Sequence, residues 1–268
     1  MDKRIVLVTG ASSGIGLATA KRFAAAGHIV YGTSRRKQDT EGIRMLTMDV
    51  CSDEQVRAGV RQILSEQGRL DILVSNAGLG IAGSVEDTTV EEAKAQFDTN
   101  YFGALRVIRE VLPIMRDQRS GSIIGVSSMA APLAIPFQAG YSASKAALEA
   151  TLTALRGEVG PFGIRVGCVL PGDTKTGFTD ARRPVEATGA TGSNVYRERL
   201  GRSIRRMEHD ERNGVSPDKV AQTIVKTALS TNPPVRRAVG ADYTLLLFAR
   251  RLLPERLVTS LVNRLYAA

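Results

Sequence analysis

Short β-branched runs alternate with longer segments of helical period along most of the chain, the pattern of βαβ units wound around a parallel sheet. Ile5 to Val8 reads as a first, fully buried strand, and Gly14 to Ala26 as a helix closed by Gly27. His28 to Ser34 and Met45 to Met48 give the second and third strands. Ser52, followed by Asp53 and Glu54, is a good N-cap for a helix towards Gln67, with Val56, Val60, Ile63 and Leu64 turned inward. Ile72 to Val74 makes a fourth strand, and a long helical stretch from about 90 to 115 should weaken at Pro113. Ile123 to Val126 is a fifth strand, Tyr141 to Val159 a helix, and Arg165 to Leu170 a sixth strand halted by Pro171-Gly172. Six strands in this alternation predict an α/β fold, a single doubly wound Rossmann-type parallel sheet flanked by helices, in one domain spanning 1–268.

Beyond Pro171 the pattern changes. Residues 173–214 are rich in Thr, Gly and Arg, carry little sheet signal and room for one or two short helices, and read as a substrate loop or lid. Ser216-Pro217 restarts regular structure as N-cap and first helical residue of a helix to about Ser230. The tail, 243–268, is basic and amphipathic: Leu257, Val258, Leu261, Val262 and Leu265 form an apolar stripe that can pack on the core, on a second subunit or on a membrane surface.

Composition narrows the picture. The 268 residues are 43% hydrophobic and 24% charged, ordinary for a folded soluble protein. No stretch has the length of a signal-peptide core or a membrane span, so the expected location is cytoplasmic. Cys51 and Cys168 match neither a disulfide framework nor a zinc spacing, and two histidines are too few for a histidine-rich metal site, so no metal is expected. The formal charge of +9 is spread along the chain without a nucleic-acid-binding signature, and no nucleic-acid partner is expected.

Three clusters carry chemistry. Gly10-Ala11-Ser12-Ser13-Gly14-Ile15-Gly16 sits between the first strand and the first helix, where glycines permit a tight turn and bring helix N-terminal amides against a pyrophosphate. The end of the second strand reads Ser34-Arg35-Arg36-Lys37, with no acid to meet the adenosine ribose hydroxyls. A guanidinium there can make paired bonds to a 2′-phosphate, which favours NADP(H) over NAD(H); the plain alternative is a solvated basic loop. Tyr141 and Lys145 lie four residues apart on one helical face, and a neighbouring ammonium should bring the phenol's pKa down for general acid/base work.

Together with Ser75-Asn76-Ala77-Gly78 after the fourth strand, Ser127-Ser128 after the fifth and Pro171-Gly172, these motifs resemble the short-chain dehydrogenase/reductase family over about residues 4–240. The resemblance implies that Tyr141 protonates the substrate oxygen during reduction and that Lys145 lowers its pKa and binds the nicotinamide ribose. It assigns Ser128, thirteen residues ahead of the tyrosine, to the substrate oxygen and Asn100 to a water-linked proton path to the lysine. It places Asp49 and Val50 at the adenine, Asn76, Ala77 and Gly78 along the cofactor cleft, and Pro171, Gly172, Thr174 and Thr176 near the nicotinamide. Ser75 stands where the family usually has asparagine, and Thr174 where an aliphatic residue is common. Ser34-Arg35, Pro136-Phe137 and Lys145 to Glu149 are similar to the hydroxysteroid and retinol dehydrogenase branch, which implies an apolar carbonyl or alcohol substrate. The expectation is an NADPH-dependent carbonyl reductase that self-associates; a non-catalytic dinucleotide sensor or scaffold is the alternative.

Overall fold

The computed structural model describes residues 2–185 and 194–267. β1 (Ile5–Val8), β2 (Ile29–Ser34), β3 (Arg44–Thr47) and β4 (Ile72–Ser75) alternate with α1 (Gly14–Ala25) and α2 (Asp53–Gln67). After a short β5 (Ile81–Ala82) come α3 (Val90–Phe97), α4 (Gly103–Asp117), β6 (Gly121–Val126), α5 (Ala139–Val159) and β7 (Ile164–Leu170). The chain continues through α6 (Phe178–Ala181), β8 (Arg183–Pro184), α7 (Asn194–Arg212), α8 (Pro217–Ala228) and β9 (Arg236–Ala238) to α9 (Ala241–Leu252) and α10 (Glu255–Tyr266). The main sheet has seven parallel strands in the order β3-β2-β1-β4-β6-β7-β9. The order reverses between β1 and β4, which opens a crevice at their carboxyl ends.

Strand alternation sorts the core into two layers. Leu7, Tyr31, Leu73 and Ile123 face one side, under Val56 and Ile63 of α2, Val107 and Val111 of α4 and Leu148 and Leu152 of α5. Val6, Val8, Val30, Val74 and Ile124 face the other, under Phe23 of α1 and Val220 and Ile224 of α8. Buried on both faces, these strands need apolar side chains at every position, hence their unbroken Val/Ile/Leu runs. Ser52 caps α2 as expected, its hydroxyl accepting from Gln55 N–H at 3.3 Å, but Leu64 is 37% exposed rather than turned inward.

Several expectations need correction. The 90–115 helix is interrupted by a π-helical turn at Asp98–Phe102, which carries Asn100, then resumes at Gly103 and continues through Pro113 to Asp117. Proline near a helix end loses one hydrogen bond that flanking packing can offset. The seventh strand, β9, escapes notice because Arg236 and Arg237 interrupt its pattern at the sheet edge. Within the expected lid, β8 pairs with β5, and α7 is a nineteen-residue helix instead of short pieces. Its buried Leu200, Ser203 and Met207 form a narrow inward stripe, while Arg206–Asp210, beside the cavity, and Arg212–Glu208 pair along the helix at 2.7 and 3.8 Å. Residues 186–193 of the expected lid, and 268 of the tail, lie outside the described residues. Among the described residues no helix is long and apolar enough to cross a membrane.

Candidate active site

A cavity of about 1180 Å³ runs from the carboxyl ends of β1 and β4 to the C-terminal helices. Of the residues that the sequence assigns to catalysis or to the cofactor, all line it except Asn100, whereas Pro136 and Phe137 lie outside it.

At one end is the turn after β1. Gly10 adopts φ +66°, and a Cβ on Gly16 would stand 2.2 Å from the Gly10 carbonyl oxygen, so only glycine lets α1 start this close to the strand. The Ser13 side chain makes no capping hydrogen bond, leaving the amides of the first turn of α1 to face the cleft. Thr9, missed in the sequence reading, braces this turn against β4: its hydroxyl accepts from Asn76 N–H at 2.9 Å and Ala77 N–H at 3.0 Å. The Asn76 amide donates back to the Thr9 and Gly10 carbonyls, at 2.9 and 3.3 Å. Ser34 and the exposed Arg35 and Arg36 close the cleft beyond β2, and Asp49 and Val50 line it beyond β3. This glycine cradle, uncapped helix start and basic strand end fit a dinucleotide whose diphosphate meets α1.

At the centre stand Ser128, Tyr141 and Lys145. The Lys145 ammonium is buried, 4% exposed, donates to the Val126 carbonyl at 3.0 Å and lies 5.8 Å from the centroid of the Tyr141 ring. Burial lowers its pKa to about 8. Burial likewise raises the Tyr141 phenol to about 12, with the Ser128 hydroxyl acting in the opposite direction. A phenol depressed by its lysine neighbour is therefore not what this buried site presents. The lysine is committed to Val126, and desolvation of the phenolate outweighs the hydrogen bond that favours it.

Asn100 lies behind the wall, 1% exposed. Its Oδ1 accepts from Leu79 N–H at 2.7 Å, and its amide donates to the Leu79 carbonyl and the Ser144 hydroxyl, both at 3.0 Å. The π-helical turn thus ties the loop after β4 to α5, and Ser144, one residue before Lys145, is a supporting residue that the sequence reading missed. A Cβ on Gly78 would be 3.5 Å from both Asn100 Oδ1 and Lys145 Nζ, so both groups converge over this glycine.

On the far side, Phe178 of α6 packs its ring 5.7 Å from that of Tyr141 and presses on Gly80, roofing the tyrosine. Thr176 Oγ1 accepts from Phe178 N–H at 3.2 Å, and Thr174 Oγ1 donates to the Gly172 carbonyl at 2.9 Å, so both threonines shape the turn after β7. The Tyr243 ring of α9 lies directly over Gly172, and its hydroxyl donates to Asp173 Oδ2 at 2.5 Å. Glu211 of α7 accepts from Thr179 and pairs with the buried Arg182, tying the two parts of the lid together. Nothing in the local pattern marks Phe178, Tyr243 or Glu211; tertiary folding alone brings them here. Leu246, Leu253, Leu261 and Leu265 complete the outer wall. The arrangement can polarise and protonate an oxygen held between Ser128 and Tyr141 at the junction of a polar arm and an apolar arm.

Comparison with known proteins agrees with this geometry. The model of the family described as short chain dehydrogenase matches residues 4–187. A 3-ketodihydrosphingosine reductase from Bacteroides thetaiotaomicron is 45% identical, over 100% of this chain and 99% of that protein. Retinol dehydrogenase 8 from Bos taurus is 32% identical, over 94% of this chain and 86% of its own length. The crystal structure of a short-chain dehydrogenase from Streptomyces avermitilis superposes with a TM-score of 0.83 at 33% identity, covering 93% of this chain and 92% of that one. A 3-ketoacyl-(acyl-carrier-protein) reductase from Brucella melitensis complexed with NADH gives a TM-score of 0.74 at 25% identity, covering 88% of this chain and 96% of that one.

Proposed function

The chain belongs to the short-chain dehydrogenase family, and from that membership we propose that it is an NADPH-dependent reductase converting a ketone on a long-chain, apolar-tailed substrate into an alcohol. One observation carries the reading: Tyr141, Ser128 and Lys145 stand where the glycine-turn arm of the cavity meets an arm walled by leucines of α9 and α10. The relative from Bacteroides thetaiotaomicron, matched over the full length of this chain, is named for the reduction of 3-ketodihydrosphingosine, a substrate of this kind.

The dinucleotide would lie along the Gly10–Gly16 turn, Ser34, Asp49 and Asn76, with Arg35 on a 2′-phosphate; when bound it supplies the hydride. The protein's own groups do the rest. Ser128 donates a hydrogen bond to the carbonyl oxygen and holds it at Tyr141. As the oxygen gains charge, Tyr141 transfers its phenolic proton to it, and the alcohol forms. Burial keeps the phenol protonated at neutral pH, which suits proton donation in the reductive direction. The phenolate left behind is stabilised by the buried Lys145 ammonium beside the ring, a charge with little competing solvation. Asn100 and Lys145, converging over Gly78, form the route by which Tyr141 regains its proton. Phe178 and the apolar outer wall exclude water from the reacting oxygen.

The test is nicotinamide consumption by purified protein with 3-ketodihydrosphingosine and with short ketones. Faster NADPH than NADH oxidation, and a KM that falls as the alkyl chain lengthens, are the expected results. No oxidation of either nucleotide with any ketone would overturn the reading.

A further inference from the structure

α9 and α10 wall the substrate chamber with one face and leave another bare. On α9, Leu245, Phe248 and Leu252 follow one another at helical spacing on the outside; on α10, Leu257, Leu261 and Leu265 do the same. These six side chains are between 51% and 72% exposed, a density of large apolar groups that a soluble surface does not ordinarily carry. Only Val258 of the two helices is fully buried. Arg251, Arg256 and Arg264 stand exposed on the same pair and form no ion pair among the described residues, whereas Arg250 is turned to Glu255 at 3.7 Å. Leu261 and Leu265 are both half-exposed and part of the chamber wall, so the bare face is continuous with the chamber mouth.

We propose that α9 and α10 form an interfacial docking surface for an anionic lipid bilayer, which lets substrate pass from the bilayer into the chamber without crossing water. Exposed leucines and Phe248 insert among the acyl chains at the headgroup boundary, while Arg251, Arg256 and Arg264 meet lipid phosphates. The charge pattern favours a bilayer over a second copy of the chain. A two-fold contact through this face would set two net-positive helix pairs against each other and cap the mouth, whereas anionic headgroups complement the arginines and leave the mouth facing the acyl region. Neither helix spans a membrane; the contact is peripheral and reversible.

The experiment is flotation of the full-length protein with phosphatidylcholine vesicles, with and without phosphatidylglycerol, alongside sedimentation of the lipid-free protein. Recovery with the anionic vesicles should exceed that with neutral ones by about ten-fold and fall several-fold at high salt. The double variant Leu252→Glu/Leu257→Glu, which changes only outward-facing residues, should lose flotation while keeping wild-type turnover of a short, water-soluble ketone and losing turnover of a vesicle-borne long-chain ketone. Arg251→Glu/Arg256→Glu should lose only the anionic preference. Absence of flotation, flotation unchanged by the leucine variants, or a wild-type dimer that these variants dissociate overturns the proposal. Flotation without turnover of any ketone would refute the reductase reading and leave the docking surface standing.

Discussion

Lys145→Met should abolish turnover and yet stabilise the cofactor-free protein near neutral pH. The ammonium is 4% exposed and its pKa falls from 10.5 to about 8 on burial, so folding at neutral pH carries a charge into a site that disfavours it. At about 1.4 kcal/mol per pKa unit, that penalty is about 3 kcal/mol. Methionine has similar length and no charge, but it strips the Val126 carbonyl of its donor, which costs about 1–2 kcal/mol. The net gain of about 1–2 kcal/mol corresponds to a rise of about 4 °C in Tm for a chain of this size. The sign of the pH dependence follows from a folded pKa below the unfolded one: the penalty is full below about 8, shrinks as pH rises towards 10.5 and is absent above it. Thermal unfolding of wild type and variant without nucleotide, between pH 7 and 10.5, should therefore show the methionine advantage closing and then reversing as only the lost hydrogen bond remains. A stability difference that stays constant across this range would refute the reasoning, because it would mean that Lys145 enters the fold without an electrostatic penalty.

Tyr141→Phe keeps the ring against Phe178 and removes the transferable proton; turnover should fall by about 10²–10⁴-fold while NADPH binding, read by nucleotide fluorescence, stays unchanged. Arg35→Asp should raise KM for NADPH and lower it for NADH, shifting the ratio of their kcat/KM values by about ten-fold or more, and an unshifted ratio would remove the phosphate contact from the account. Gly16→Ala places a Cβ 2.2 Å from the Gly10 carbonyl and 2.5 Å from the Asn76 amide; thermal unfolding should reveal a loss of about 1–3 kcal/mol, with NADPH affinity falling in parallel.

Much of the candidate active site was legible because it is written in short range. The turn from Gly10 to Gly16 is a local backbone requirement, and the Tyr141/Lys145 spacing is a property of one helix, α5. The strands that hold them announce themselves through unbroken apolar runs such as Ile5–Val8. The family resemblance joined these pieces in order. Ionisation behaved differently: placing an ammonium one helical turn from a phenol suggested a depressed phenol pKa, whereas burial reverses that direction for Tyr141. Burial depends on what the rest of the chain packs around α5 and cannot be read from spacing.

The same division runs through the whole molecule. By itself the sequence determined the parallel α/β architecture, the glycine turn after β1 and the Tyr141/Lys145 pair, because periodicity, turn chemistry and one-helix spacing are local properties, while Ser128 was singled out through the family resemblance. Only the tertiary structure decided that Asn100 braces Leu79 and Ser144 from behind the wall, that Phe178 roofs the tyrosine, and that Tyr243 seals Gly172 from 71 residues away. It also decided the two faces of the tail, which line the chamber on one side and lie bare on the other. Those contacts join segments far apart in the chain, and which face of an amphipathic helix is covered is settled by its neighbours, not by its own pattern.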